Sequence, residues 1–268
     1  MVELLRVRIN LELMPKRWVT ILLLVASLPA EAALAKIRFR PVKGRAQSLN
    51  VRRRLNTRPL VDATRSYWVD WTQAASTDGS WASPLTVGFQ PSGKLEFSLN
   101  MDAFDRYDAG DHHVTNATDH VTLAASRSLV NGRIFDLAVM PQVTSLTRNG
   151  SGVRAGGSVL ARWDVKGNSF GTSATWTGAT TPNPDNPAGL WDLGAGYGHK
   201  FGRWLVHGNL TWERATGAAS FYVVLEGAQR RISPHWSVDL GGQHHGLHSG
   251  LVEHQVLATL SWSSSTNR

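Results

Sequence analysis

An apolar/polar alternation that recurs along almost the whole chain restricts the fold more than any other feature of this sequence. In KLEFSLNMDAF, residues 94–104, Leu95, Phe97, Leu99, Met101 and Ala103 alternate with Glu96, Ser98, Asn100 and Asp102. Successive side chains of a strand point to opposite faces, so the segment has one apolar and one polar face. The pattern returns at 67–71, 85–89, 121–125, 135–139, 153–163, 170–176, 191–197, 204–212, 221–225, 236–240 and 256–262. In the 221–225 stretch the alternation sets Phe221, Val223 and Leu225 on the apolar face. With their margins, most stretches run ten to thirteen residues. Strands of soluble proteins average about five or six, whereas a tilted transmembrane strand needs about 9–11. Length therefore favours an all-β, antiparallel, up-and-down transmembrane barrel over a soluble sandwich. In such a barrel the apolar face meets lipid and the polar face lines the interior.

The connections sort by length. Short ones hold Pro91-Ser92-Gly93, Asn131-Gly132, Lys166-Gly167-Asn168, Gly202 and Ser233-Pro234, and longer ones fall at 106–118, 146–152, 178–188 and 244–252. Short turns on one side and long loops on the other, with an even strand number, are the habit of outer-membrane barrels. The expected count is about twelve strands, or ten if the first hairpin lies outside the wall. Large rings on the apolar parity gather at strand ends. Phe89, Trp163, Trp204, Trp236 and Trp262, with Phe135 and Phe170, sit at the short-turn end. Trp71, Trp81, Trp176, Trp191 and Trp212, with Phe221, sit at the long-loop end. Two such belts are the aromatic girdles of a membrane barrel.

Charge divides the chain differently. Residues 1–59 carry 13 Lys/Arg and 3 Asp/Glu, so the net charge of +8 arises entirely there and the rest is slightly acidic. A nucleic-acid partner is therefore not indicated. Lys16 and Arg17 precede the apolar run WVTILLLVASL and then PAEAALA, the layout of a secretory signal. Cleavage is expected after Ala32 or Ala35, and Met14 serves as an alternative start. The expected organisation is a signal peptide over 1–35, a basic periplasmic arm over 36–62 and the barrel over 63–268. The absence of cysteine excludes a disulfide framework.

The polar parity carries the chemistry. Glu96, Asp102, Asp136, Arg154, Arg162, His207, Glu226 and Asp239 are expected to line the interior, together with Asp70, Asp164, Asp192, Glu213 and Arg230. Charged groups there must be solvated by a water-filled lumen or paired across it. Glu226 is expected to be pinned by Arg154 or Arg162. Histidines cluster in two outer loops, His112 and His113 in DHH and His244, His245 and His248 in HHGLH. Short histidine-rich tracts can bind metal, but no HExxH or other fixed ligand spacing accompanies them, so no metal or other cofactor is assigned. Asp111, His112 and Ser126 could be drawn into a rim hydrolase, but nothing in the sequence fixes their mutual geometry, and the reading is of a protein that is not an enzyme.

From residue 84 onward the chain resembles the outer-membrane barrel family known as "MetA-pathway of phenol degradation", transporter-like proteins. The segments that carry the resemblance are LTVGFQPSGKLEFSLNM, DHVTLAASRSL, LWDLGAGYGHKF and the closing FYVVLEGAQRRISPHWSVDLGGQ with HQVLATLSW. The chain departs from the family in its basic arm and in continuing SSSTNR beyond Trp262. The chain is read as a monomeric barrel in the bacterial outer membrane, and the resemblance implies that it passes small, aromatic or hydrophobic solutes passively. Its partners would be outer-membrane lipid, a small-molecule solute and the outer-membrane assembly machinery. The alternative is a closed structural or surface-binding barrel that acts through its outer loops.

Overall fold

The computed structural model describes residues 66–76, 81–108, 113–116, 120–146, 152–182, 187–246 and 253–264, and the side chains of 102–108, 113–116 and 253 are not among what it describes. The expected signal segment and basic arm lie outside the described residues. Everything described below belongs to the unit Arg40–Arg268.

All described elements are strands: β1 (Ser66–Ser76), β2 (Trp81–Ser92), β3 (Leu95–Asp108), β4 (His113–Asn116), β5 (His120–Asn131), β6 (Phe135–Leu146) and β7 (Gly152–Val165). They continue as β8 (Asn168–Ala179), β9 (Gly189–Phe201), β10 (Trp204–Ala215), β11 (Phe221–Arg231), β12 (Trp236–His245) and β13 (Glu253–Ser263). Every pairing is antiparallel, and each long strand pairs with its sequence neighbours. The sheet closes because β1 pairs with β13 on one side and β2 on the other. β4 pairs only with the far end of β3, so the ring itself holds twelve strands. The expected 106–118 loop is thereby shortened, since β3 runs on to Asp108 and β4 answers it.

The turns at one end are tight. Gly93 and Lys94 link β2 to β3, Lys166 and Gly167 link β7 to β8, and Gly202 and Arg203 link β9 to β10. At the β7–β8 turn both central residues take positive φ, 48° for Lys166 and 82° for Gly167. This is the pair of left-handed residues that a two-residue hairpin needs to match the strand twist, and Gly167 supplies one of them without a Cβ penalty. The opposite end carries the long connections.

The barrel is inverted relative to a soluble protein. Outward residues are apolar and exposed, as in Val256 at 70%, Leu123 and Leu240 at 60% and Leu210 at 48%. Inward residues are polar and withdrawn from solvent, as in Thr211 at 0%, Gln90 and Gln243 at 1% and Asn100 at 5%. A water-soluble fold would place these two sets the other way round. In KLEFSLNMDAF, Phe97 is exposed on the outer face and Glu96 and Asn100 are buried within.

Two apolar facets interrupt the polar interior. Ala138, Met140 and Leu160, with Ala124 against them, form one on β5, β6 and β7. Ala74, Leu225 and Leu257, with Ala82 against them, form the other on β1, β2, β11 and β13. The second facet exists because β11 faces the opposite way from the sequence expectation. Val223 lies opposite Thr211, and Leu225 opposite Asn209, with all four buried. Phe221, Val223 and Leu225 thus share the inward parity, and Tyr222, Val224, Glu226, Ala228 and Arg230 face out. Both parities of FYVVLEGA are largely apolar, so alternation alone does not choose between them; the pairing with β10 does.

Candidate functional site: the barrel interior

The interior wall is built by the inward parity of twelve strands, and its charges fall into three groups. Near the tight-turn end, Asp136 stands opposite Arg162 in the β6–β7 register, and Arg162 Nη2 makes a 2.8 Å ion pair with Asp164 Oδ1. Asp136 Oδ1 also accepts a 3.2 Å hydrogen bond from the Gly132 backbone N–H, which ties the β5–β6 turn to the wall.

A second group bridges three strands. His207 Nε2 on β10 lies 3.0 and 3.1 Å from the two carboxylate oxygens of Asp239 on β12, both side chains being buried. The strand between them, β11, presents Gly227, where a Cβ would meet His207 Cε1 at 2.9 Å and Asp239 Oδ1 at 3.1 Å. Only a residue without a side chain lets the imidazole cross to its partner. His207 Nδ1 has no hydrogen-bond partner among the described residues.

The third group lies toward the long-loop end. Arg154 donates through Nε and Nη2 to Thr177 Oγ1 at 3.3 and 3.2 Å, through Nη2 to the Thr177 carbonyl at 3.2 Å, and through Nη1 to the Pro187 carbonyl at 2.8 Å. It therefore ties the connection after β8 to the wall. Hydrogen bonds to a charged group contribute about 1.5–3 kcal/mol each way they are counted. We expect Arg154→Met to cost roughly 2 kcal/mol and to make the 180–188 connection susceptible to limited proteolysis in folded protein. An unchanged cleavage pattern would contradict the anchoring role. Nearby, Glu213 and Asp192 stand directly opposite each other on β10 and β9, two buried inward carboxylates side by side.

Of the residues expected to line the interior, Glu96, Asp136, Arg154, Arg162, His207 and Asp239 occupy inward positions. Asp102 falls in β3, and its side chain is outside the description. Glu226 does not line the interior. It stands on the outer face between Gly208 and Gly242, and its partner is His244 rather than Arg154 or Arg162. Arg230 likewise faces out, with its guanidinium carbon 5.2 Å from the centre of the Trp204 ring. The acids Asp70, Glu96, Asp136, Asp164, Asp192, Glu213 and Asp239 share the inward parity with the cations Arg154, Arg162, Lys200 and Arg231, so the described interior is acidic on balance.

The expected girdle residues lie on the outer face, with two adjustments. Trp163 with Phe135 (5.1 Å between ring centres), Phe170 with Tyr197 (5.2 Å) and Tyr67 with Phe89 (4.7 Å) mark the tight-turn end, beside Trp204, Trp236 and Trp262. Trp176 and Trp191 pair at 6.5 Å near the other end, where Trp81 and Trp212 also lie. Tyr222, opposite Trp212, stands where Phe221 was expected. Trp71 is at mid-strand, opposite Leu85 and Leu260, and its Nε1 donates a 2.8 Å hydrogen bond to Ser83 Oγ. That internal acceptor satisfies the indole N–H away from any interfacial water.

Of the histidine candidates, the described side chains are those of His244 and His245. His112 and His248 lie outside the described residues, as does the side chain of His113. His244 and His245 are adjacent in one strand and point to opposite faces; His245 is buried inward against Gln243. No group of three or more possible metal ligands occurs among the described residues. Ser126 is buried on the inner wall opposite Glu96, and Asp111 lies outside the described residues.

A closed antiparallel barrel of twelve strands with a polar interior and an apolar exterior is the architecture of the outer-membrane channels. The chain is similar in fold to the COG4313 outer membrane channel from Pseudomonas putida F1 (TM-score 0.58, 9% identity, 78% of this chain and 97% of that one). It is also similar to the NanC porin (0.57, 10%, 72% and 98%) and the KdgM porin (0.56, 7%, 73% and 98%). At these identities the likeness is one of fold. No family model matches the chain, and no curated protein does.

Proposed function

We propose that this protein is a passive channel of the bacterial outer membrane for small solutes. The observation that carries the reading is the inverted barrel: exposed Leu, Val and Trp side chains ring the outside of a closed sheet whose interior is polar and net acidic. An apolar exterior of this kind needs a bilayer, and a polar, acid-rich interior suits a path for polar or cationic solutes. The two apolar facets inside, at Leu160 and at Leu225, offer footholds for aromatic or hydrophobic parts of a solute. This agrees with the class of solute implied by the resemblance to the phenol-degradation family. Exported through a cleaved N-terminal signal, the chain works as a monomer without a cofactor and depends on the outer-membrane assembly machinery.

A second reading, a closed barrel that acts through its outer loops, has one observation in its favour. Inward side chains as large as Gln90 and Gln243 are almost completely withdrawn from solvent, which describes a narrow or filled interior. Planar-bilayer recording of the refolded mature chain separates the two. The channel reading expects unitary conductance steps with cation preference, and reduced preference in the triple variant Glu96→Gln, Asp192→Asn, Glu213→Gln. A heat-modifiable, inserted barrel that never conducts would refute it and leave the loop-based role.

A further inference from the structure

Glu226, His244 and His254 form a connected cluster on the outer face of the barrel, where the surrounding surface is hydrocarbon. His244 on β12 and His254 on β13 are directly opposed in register. Their Nδ1 atoms are 2.6 Å apart, and the rings meet edge to face with centres 4.8 Å apart at 77°. Behind His244, its Nε2 lies 3.6 Å from Glu226 Oε1, in ion-pair range. The two side chains approach each other over Gly242, where even a Cβ would keep an ordinary 3.7 Å from His244 Nε2.

Two imidazole nitrogens at this distance cannot both present lone pairs. Something electropositive must lie between them, either a proton or a metal ion. The carboxylate decides which tautomer His244 favours. At 3.6 Å the carboxylate makes no hydrogen bond, but its charge favours the His244 proton on Nε2, which leaves the Nδ1 lone pair toward His254. A carboxylate behind a histidine whose other nitrogen faces a cation is the common arrangement of metal-binding histidines. Ionisable groups are uncommon on the lipid-facing side of a barrel wall, and three in contact there mark a candidate functional site.

We propose that His244 Nδ1 and His254 Nδ1 bind one divalent transition-metal ion of the zinc or copper class, with Glu226 as a positioning residue. The ion displaces the proton between the rings, which His254 takes up at its own Nε2, so that both imidazoles bind as neutral ligands. Tetrahedral zinc with bonds of about 2.0–2.1 Å would separate the two nitrogens by about 3.3 Å, so the exposed rings need part by less than 1 Å. Water fills the remaining positions, because no third protein donor stands on that side among the described residues. The site joins β12 to β13 at the long-loop ends of both strands, and it requires only a folded barrel, whether or not the barrel conducts.

The test uses the full mature chain without a purification tag, refolded in detergent and checked for folding by heat modifiability. Copper(II) and zinc(II) are titrated calorimetrically, and copper is followed by electron paramagnetic resonance. The expected result is one ion per chain with a two-nitrogen hyperfine pattern. His244→Gln and His254→Gln should each abolish that pattern without changing heat modifiability. Glu226→Gln should keep the two-nitrogen pattern and weaken affinity by roughly 10- to 100-fold. Absence of saturable binding overturns the proposal, and so does binding that survives both histidine variants but is lost in His112→Gln, His113→Gln, His248→Gln.

Discussion

Leu240→Arg is expected to destabilise the barrel in a lipid bilayer by about 2–4 kcal/mol, whereas Ile232→Arg should cost about 0–1 kcal/mol. Both residues are exposed on the outside, at 60% and 56%, so exposure does not distinguish them. Depth does. Leu240 is midway along β12, and Ile232 belongs to the tight turn before it. A guanidinium at the middle of the hydrocarbon layer can neither hydrate nor find a partner, while one at the turn reaches the headgroups. Urea unfolding in vesicles reads the difference. Equal effects at the two positions would mean that the exposed apolar surface does not face lipid, and the membrane placement would fail with it.

Gly156→Ala should cost about 3 kcal/mol, near the top of the usual range for overpacking, and Gly208→Ala should stabilise by roughly 0.5 kcal/mol. The opposite signs follow from what a Cβ would meet. At Gly156 it would lie 2.0 Å from the Trp176 carbonyl oxygen and 2.7 Å from Thr177 Cα, both backbone, so β8 would have to move as a whole. At Gly208 the nearest atom is the Leu225 carbonyl oxygen at an ordinary 3.6 Å, and alanine there only removes freedom from the unfolded chain. Gly156 sits beside Gly157, which pairs with Pro141 in mid-β6. A proline in a ladder lacks a donor, and Gly157 opposite it, where a Cβ would lie 3.2 Å from the Met140 carbonyl oxygen, lets β7 close on β6 while Gly156 lets it close on β8. Reversible unfolding of both variants under identical conditions provides the comparison; a similar loss at both positions would show that strand approach is not what Gly156 serves.

The fold was legible because two periodicities reinforced each other. Alternation placed Phe97, Leu123, Val159 and Leu240 on one face, and the sorting of connections by length placed the turns on one side. The site was legible only where a strand has a clearly polar face, as for Arg154, Arg162 and His207. β11 defeats the method, because Val223 and Leu225 compete with Tyr222 and Val224 for the same description. Its direction comes from pairing with Thr211 and Asn209, which no local pattern contains. The consequence was a misplaced Glu226. His254 escapes a local reading for a related reason: His244 and His245 are consecutive but face opposite ways in a strand, whereas His244 and His254 are ten residues apart and directly opposed across β12 and β13.

The bridge over Gly227 also bears on how the chain avoids error. A strand apolar on both faces could slide one residue along its neighbours with little hydrophobic loss, and each such slip would turn it inside out. The span from His207 to Asp239 admits only one alignment. Displaced by a residue, β11 would bring either Glu226 or Ala228 under the imidazole, where even a methyl group would come within 2.9 Å of His207 Cε1 and of the Leu240 carbonyl oxygen. An ionisable pair that looks like part of a permeation path is thus also a latch, rejecting the misthreaded barrel that the hydrocarbon pattern alone would tolerate.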